Sequence, residues 1–451
     1  MKQLKKHVPL LAMIAMLQCG FAQQGGNDFS LQQSIEYALK HSPNHMNSML
    51  DEQNAEYKRR EVRGLGLPQV NGSIDVKDYL ALPTSLIPGD FVGRPGTYLP
   101  VKFGTKYNAT AGFSASQLLF SSDYIFALKA SKEFLNLSKI SVSRSKSELA
   151  AQVSKAYYTV LINRDRMTLL EANITRLQKA FDDTRAFNQQ GFVEAIDVER
   201  LEVSLNNLVT VKENTSRLIG LSETLLKFQM GYKLEDPINL TDSLSTDNNF
   251  QEFGSGKIDI TQRPDYQLLQ SQQTLLDIDV KRMKWGYLPT LAAYGSYQYN
   301  SQRNQFDFFN SDKNNPTKQW YKIGLIGATL NINIFDGFQR HNRIQQASIS
   351  AQKNVNNIRN VELGGELEAT VASITFNNAL ASVKNQKRNM ELAQHVYDVA
   401  QKKYEAGVGS NLEVVTAETA LVEAQTNYFN ALYDMIVAKT DYQKATGTLI
   451  K

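Results

Sequence analysis

Two stretches of alternating residues, 289–300 and 321–335, predict β-strands in the second half of the chain. The alternating apolar set is Leu291, Ala293, Gly295, Tyr297 and Tyr299 in the first stretch, and Ile326, Ala328, Leu330, Ile332 and Ile334 in the second. A strand of about ten residues is long enough to cross a bilayer when it is tilted. Because two strands alone would leave unpaired edge groups in lipid, this pair is expected to belong to a closed barrel.

A second pair of strands is predicted in the first half of the chain, at about 70–80 and 106–120. Ala109, Ala111 and Phe113 occupy every second position of the later stretch. The segment between the two strands is rich in proline and glycine, so it is expected to be a loop. The chain therefore supplies four strands.

The remaining sequence predicts long helices. Residues 122–190 contain no proline, and Leu128, Leu135, Val142, Leu149 and Ala156 recur at intervals of seven. One helix of this length measures roughly 100 Å, and a return helix is expected at 195–230. In the second half we expect a helix at 264–285, a long helix at 337–406 and a return helix at 411–447.

The two halves repeat one plan. Pro43 and Pro68 match Pro264 and Pro289 at one constant offset, and Gly191, Asp197 and Glu202 match Gly407, Glu413 and Glu418 at another. Offsets that hold through whole elements indicate a duplication. We assign the first repeat to 23–256, including a polar connector at 231–256, and the second repeat to 257–451.

The C-terminal return helix carries a coiled-coil pattern. Val414, Leu421, Tyr428, Met435, Tyr442 and Leu449 are spaced by seven, and an alanine follows three residues after each of the first five. Alanine at one seam position lets two helices approach closely over a long distance. Taken alone, this pattern favours the alternative function, a secreted structural coiled-coil scaffold protein with no transport role.

The N-terminus predicts export. Three lysines within the first six residues precede the apolar run 8–17 and the small residue Ala22, which is the layout of a signal peptide at 1–22. Cys19, the single cysteine, leaves a second outcome open, in which a lipid anchor is attached there instead of cleavage after Ala22. One cysteine cannot form a disulfide within one chain.

Composition narrows the function further. A chain of 451 residues with a formal charge of +4 has no strong electrostatic bias, so no nucleic-acid partner is expected. His41 and His45 are the only two histidines close together, and Pro43 separates them. With no zinc-ligand spacing, nucleophile motif or phosphate loop, we expect neither an enzyme nor a cofactor or metal.

Four strands per chain cannot close a barrel, because single-chain barrels need at least eight. Two chains would give a barrel of eight strands, and side chains would fill its interior. Three chains would give a barrel of twelve strands with an open lumen. The expected fold class is therefore an α+β membrane protein. Its four strands per chain trimerise to a 12-stranded outer-membrane β-barrel, which long antiparallel α-helical coiled-coil hairpins continue as a tunnel.

The duplicated order of strand, strand, long helix and return helix resembles the TolC-type outer membrane efflux protein family from about Phe29 to Thr448. The motifs that carry the resemblance are Leu288-Pro289 before a strand, Leu-Asn-Ile-Asn-Ile-Phe-Asp-Gly at 330–337, Tyr-Glu-Ala-Gly-Val-Gly-Ser-Asn-Leu-Glu-Val at 404–414, and Gly-Phe-Val-Glu-Ala-Ile-Asp-Val at 191–198. The resemblance implies a homotrimeric channel in contact with the lipid of the cell outer membrane, with a large periplasmic portion. It also implies a periplasmic adaptor (membrane fusion) protein and an inner-membrane transporter as partners. The cargo stays open among small molecules, metal ions and proteins.

The resemblance also gives roles to the turns between long and return helices. The expected periplasmic tip and adaptor contact consists of Gly191, Phe192 and Val193 in the first repeat and Gly407, Val408, Gly409 and Ser410 in the second. Asp197 and Glu413 fit the ordinary preference for acids in the first helical turn. In a trimer they would also form rings that select cations at a gate, although the family's further acid is replaced here by Thr416. Tyr404 matches a family tyrosine that helps to hold the closed tip.

Overall fold

The computed structural model describes residues 27–244, 259–312 and 314–449. The first half contains β1 (Asp28–Phe29), α1 (Leu31–His41), α2 (Pro43–Gly64), β2 (Gln69–Asp78), β3 (Thr84–Pro88), β4 (Tyr98–Lys102), β5 (Tyr107–Phe120), α3 (Ser122–Gln189) and α4 (Ala195–Met230). The expected connector contains β6 (Asn239–Leu240), and the second half contains α5 (Pro264–Trp285), β7 (Thr290–Arg303), β8 (Tyr321–Asn331), α6 (Gln339–Glu405) and α7 (Asn411–Ala445). The expected signal peptide 1–22 with Cys19, and residues 245–256 of the expected connector, lie outside the described residues.

The chain divides into two compact units. One unit comprises the described residues within Met1–Leu50, Ser141–Gln267 and Asn360–Lys451. The other comprises Asp51–Ile140 and the described residues within Leu268–Arg359. The first unit therefore holds the turns between long and return helices, and the second holds the four long strands.

The four long strands form one antiparallel sheet in the order β2-β5-β7-β8. One row of paired residues joins Val70, Ala115, Gly295 and Ile326, and the next row on the same face joins Gly72, Phe113, Tyr297 and Gly324. A row on the opposite face joins Asn71, Ser114, Ser296 and Leu325. Because paired residues share a face and neighbours along a strand alternate, the sheet has one apolar face and one mainly polar face.

The end of β8 differs from the sequence prediction. The strand stops at Asn331 rather than 335, because Asn331 pairs with Thr290, the first residue of β7, and the pairing runs out there. Gly337 and Phe338 then have φ of 62° and 64°. This left-handed backbone cannot belong to a right-handed helix, so α6 begins at Gln339 rather than at 337.

Short strands were also missed by the sequence analysis. The expected proline-rich and glycine-rich loop contains the hairpin of β3 and β4, which pair antiparallel. The expected connector supplies β6, which pairs in parallel with β1. Strands of two to five residues have too few alternating positions to produce a clear pattern.

The seam of α7 is buried as its spacing predicts. Val414, Ala417, Leu421, Tyr428, Ala431, Met435, Ala438 and Ala445 are all buried. The matching stripe of α4 includes Thr215 and Ser222, whose hydroxyls donate to the carbonyls of Val211 and Ile219 at 2.9 Å. These polar residues are tolerated in the core because their own helix satisfies them. Within the described ranges, the helices all lack the combination of length and hydropathy that a membrane span requires.

Gly231 ends α4 in a left-handed conformation, with φ of 68°, and a Cβ added there would lie 2.5 Å from the carbonyl oxygen of His41. We expect Gly231→Ala to cost about 1 kcal/mol for the backbone conformation and roughly 1–3 kcal/mol more for the clash. Chemical unfolding of the purified protein measures this loss.

Gly447→Ala is the matched control, because Gly447 has φ of 69° and an added Cβ would meet nothing within 4 Å. Only the backbone cost applies to it. Equal losses in the two variants would show that the contact with His41 is unimportant.

Candidate functional site

The first of the two helical turns joins α3 to α4 at residues 190–194. Its Gly191 has φ of 77°, which closes the end of α3 without a steric penalty. The N–H of Phe192 donates to the carbonyl of Phe187 at 3.0 Å, and the N–H of Gly191 donates to that of Asn188 at 2.9 Å. These bonds form a Schellman motif, which satisfies the last carbonyls of the helix.

The second turn joins α6 to α7 at residues 406–410 and repeats this geometry. Gly407 has φ of 75°, and the N–H of Val408 donates to the carbonyl of Lys403 at 3.0 Å. A Cβ added at Gly409 would approach Lys403 within 2.9 Å, so that position also requires glycine. Ser410 then caps α7 by accepting a 3.2 Å bond from the N–H of Glu413.

We call the two turns, 190–194 and 406–410, the hairpin tip. Beside the hairpin tip, two hydrogen bonds join the first repeat to the second. The hydroxyls of Thr184 on α3 and Tyr404 on α6 lie 3.1 Å apart. The side-chain amide of Asn411 on α7 donates at 2.6 Å to the backbone carbonyl of Asp197 on α4. Thr184 and Asn411 are buried, so each bond is shielded from water and fixes one helix of the first repeat against one of the second.

Asp197 and Glu413 lie in the first turns of α4 and α7, and each has a basic neighbour. Asp197 Oδ1 is 3.6 Å from Arg200 Nη1, and Glu413 Oε2 is 3.2 Å from Lys403 Nζ. All four side chains remain partly open to solvent, so these ion pairs contribute little stability. Their importance is electrostatic, because the positive charge of the basic neighbour partly compensates the negative charge of each acid.

Apolar side chains stand out at the hairpin tip. Phe192 and Val408 are each 74% exposed, one in each turn. A groove of about 780 Å³ lies between α6 and α7, and its walls include Val399, Lys403 and Leu412. Such an apolar surface next to charged groups is typical of a protein contact.

The structure thus brings Tyr404, Asp197 and the two glycine turns together through cross-repeat bonds. Sequence reasoning missed the partners Thr184 and Asn411, and it missed the two basic neighbours. Lys403 lies ten residues before Glu413, a spacing that no helix periodicity signals. Among the described residues, the His, Cys, Asp and Glu side chains form no group of three that could hold a metal ion.

Comparisons with known proteins find similar chains among outer membrane proteins. The family model described as outer membrane efflux protein matches residues 263–448. The outer membrane protein TolC of Escherichia coli is 23% identical over 99% of this chain and 87% of that protein. The probable efflux pump outer membrane protein TtgC of Pseudomonas putida is 22% identical over 76% of this chain and 69% of that protein. These names describe membrane and efflux proteins rather than enzymes.

A solved structure shares the fold. The outer membrane channel CmeC of Campylobacter jejuni matches with a TM-score of 0.74 and 16% identity, over 93% of this chain and 85% of that chain. The predicted fold of the chain, long helical hairpins with four long strands, is confirmed by this likeness. Within one chain this sheet is open, with β2 and β8 as its two edge strands.

The Thr184–Tyr404 contact can be tested with a double-mutant cycle. Tyr404→Phe and Thr184→Val each remove one hydroxyl without creating a large cavity, and each is expected to cost about 1 kcal/mol. Because both changes break the same bond, the double variant should lose less than the sum of the single variants. The free energy of unfolding of the four proteins gives the coupling. Simple additivity would mean that the two hydroxyls act independently.

Proposed function

We propose that this chain is a member of the outer membrane efflux protein family, that it lies in the outer membrane, and that three copies form the exit duct of a tripartite efflux or secretion system. In this proposal a periplasmic adaptor (membrane fusion) protein and an inner-membrane transporter deliver substrates to the duct. The duct releases them outside the cell. Small molecules, metal ions or proteins are all suitable cargo, since the transporter selects it.

The observation that carries the proposal is a sheet with two open edges. β2 and β8 lie at the ends of the order β2-β5-β7-β8, and three antiparallel pairings make these edge strands run in opposite directions. The β8 edge of one chain can therefore pair antiparallel with β2 of the next. Three chains supply twelve strands, which closes every edge that lipid would otherwise leave unpaired.

The apolar face of the sheet supports contact with lipid. Ile74 and Ile326 are 82% and 94% exposed on that face. A Cβ added at Gly324 would lie 3.4 Å from the Tyr297 ring, so this aromatic side chain covers the glycine backbone. A lipid-facing exterior and a polar interior are the arrangement of a water-filled membrane barrel.

Exposed apolar stripes on the helices support contact between chains. Leu218, Leu221, Leu225 and Phe228 on α4, and Leu363, Leu367, Val371 and Ile374 on α6, are each about half or more exposed. Each set follows helical spacing and forms one stripe. Stripes of this length need a covering surface, and neighbouring chains of a trimer would provide it.

The hairpin tip supports contact with the adaptor. Phe192 and Val408 present apolar side chains on turns that glycine and Schellman bonds hold in place. A partner that buries them would gain hydrophobic stabilisation at little cost in backbone ordering. Gly191, Val193, Gly407, Gly409 and Ser410 shape the same surface in this proposal.

A secreted coiled-coil scaffold is the second candidate, and the alanine seam of α7 favours it. A scaffold would leave the apolar face and the open edges of the sheet without a function. The membrane duct accounts for all three features.

We expect the purified protein to be a homotrimer that needs detergent to stay in solution, because the apolar face requires an apolar environment. Mass measurement in detergent, together with membrane fractionation, tests this. A water-soluble dimer or filament would support the scaffold and contradict the duct.

Cysteine pairs introduced in a Cys19→Ser background test the pairing of β8 with β2 of the next chain directly. Ser73→Cys on β2 should form disulfides between chains with one of Ile323→Cys, Leu325→Cys or Gly327→Cys, which share its face of the sheet. Ser73→Cys with Ile326→Cys is the control, because those side chains point to opposite faces. Cross-linking that ignores the face would contradict closure between β2 and β8.

A trimer would also place six carboxylates at the hairpin tip, from Asp197 and Glu413 of each chain. Replacing both with Ala should weaken cation preference, since rings of negative charge attract cations. Lys403→Gln should have the opposite effect, because it removes the cation beside Glu413. Reversal potentials in planar bilayers under a salt gradient measure both changes.

The two variants are expected to change cation preference in opposite directions, which distinguishes an effect of charge from a general disturbance of the tip. A nonspecific change of tip structure would shift both variants in the same direction. Unchanged selectivity in correctly assembled trimers would mean that the two acids serve only as first-turn residues of their helices.

A further inference from the structure

A layer of polar side chains lies about two helical turns from the hairpin tip. It contains Glu418 of α7, Tyr397 of α6 and Arg176 of α3. Glu418 and Tyr397 are 3% and 0% exposed. Glu418 follows the cap residue Ser410 by eight positions, and Tyr397 precedes Tyr404 by seven, so both lie at a similar level.

The carboxyl group of Glu418 has no hydrogen-bond partner in the described residues. Both of its oxygens are buried, and the same holds for the hydroxyl of Tyr397 and the Nε of Arg176. A buried carboxylate without partners is strongly unfavourable, whereas a protonated carboxyl is tolerated far better. The arrangement therefore suits a neutral Glu418.

The outer nitrogens of Arg176 donate to residues other than Glu418. Its Nη1 donates to Gln394 Oε1 at 3.4 Å, and its Nη2 donates to Asn173 Oδ1. Its guanidinium carbon also lies 5.4 Å from the centre of the Tyr397 ring. Arg176 Nε–H and Tyr397 O–H therefore have no acceptor of their own, and both could donate to an ionised Glu418 carboxylate.

The electrostatics agree with this geometry. Burial raises the pKa of Glu418 to about 7, although the positive charge of Arg176 opposes the rise. Burial and the charge of Glu418 raise the pKa of Tyr397 to about 12, with smaller contributions from Asp398 and Glu405 on the same helix. On α4, the buried Leu201 and Leu208 pack in one apolar cluster with Leu170 and Leu177 of α3.

The equivalent residue of the first repeat behaves differently. Glu202 holds the matching place in α4 and is exposed to solvent, whereas Glu418 is buried. One sequence position thus carries an ordinary surface acid in one repeat and an unpaired buried acid in the other. Glu202 is a natural control.

We propose that Glu418 is a proton-binding site that controls how α3 packs against α6 and α7. In the protonated state Arg176 ties α3 to α6 through Gln394. Loss of the proton draws Arg176 towards the Glu418 carboxylate on α7, which loosens the tie to α6 close to the hairpin tip. The effect on conduction rests on the proposed function, and the proton site itself does not.

Infrared spectroscopy of protein labelled with ¹³C-glutamate tests the site. The wild type should show a protonated-carboxyl band that disappears as the pH rises through about 7. Glu418→Gln should lack this band, and Glu202→Gln should keep it. Arg176→Gln should move the titration upward by about one pH unit, because a neighbouring cation no longer favours the carboxylate.

Thermal unfolding of the detergent-solubilised protein gives an independent measurement. The folded protein holds the Glu418 proton to a higher pH than the unfolded chain does. Its contribution to stability is therefore fully present at acidic pH and is lost as the pH rises through about 7. Glu418→Gln should remove this part of the pH profile, and Glu202→Gln should preserve it.

The outcomes separate the two proposals. A band that survives in Glu418→Gln, or that titrates like an exposed carboxyl, overturns the proton site. Channel conductance in planar bilayers should rise between about pH 6 and 8 in the wild type and stay constant in Glu418→Gln. If the conductance of Glu418→Gln rises with pH as it does in the wild type, the link between the proton site and the hairpin tip is overturned. A protein with the titrating band and the expected profile that forms no channel would contradict the proposed function and support the proton site.

Discussion

The backbone groups along the two open strand edges constrain this structure more than any single side chain. Each repeat supplies two long strands, and the four join into one sheet whose end strands are β2 and β8. A strand edge in lipid needs a partner for every N–H and C=O group. The duplication therefore doubles the sheet without completing it. In the proposed duct, association of chains follows from the same backbone rule that forms the sheet.

The two repeats share a plan, but they pack their return helices differently. The α7 seam is made of large apolar residues and alanine, whereas the matching stripe of α4 passes from Leu201 and Leu208 to Thr215 and Ser222. The hydroxyls are satisfied within their own helix, so the stripe stays buried with less apolar contact. Duplication thus preserved the register of the repeat while its contacts diverged.

Periodicity predicted the elements that are long and regular. The helix expected at 264–285 is Pro264–Trp285, and the return helix expected at 195–230 is Ala195–Met230. The β3–β4 hairpin was missed because five-residue strands show too little alternation. Such patterns record which face a residue occupies. They do not record which distant residue it meets.

The hairpin tip follows the same division. Gly191 and Gly407 were recognisable because a helix that ends in left-handed backbone favours glycine. The bond between Thr184 and Tyr404 joins residues far apart in the sequence, so only the packing of α3 against α6 reveals it. The same applies to Lys403, whose charge changes the expected role of Glu413. A sequence can assign an acid to a gate, but its neighbours decide how much charge the gate presents.

Two polar layers of the helical bundle lie close together and differ in kind. Asn173 of α3 donates at 2.6 Å to Gln425 of α7, and both side chains are buried. This bond between neutral amides fixes the register of two helices and contains no titratable group, while Asn173 Oδ1 also accepts from Arg176 Nη2. Glu418 lies about two turns before Gln425 on α7, and its partners depend on whether it carries a proton. A fixed layer next to an adjustable one lets the bundle keep its alignment while the packing beside the hairpin tip changes.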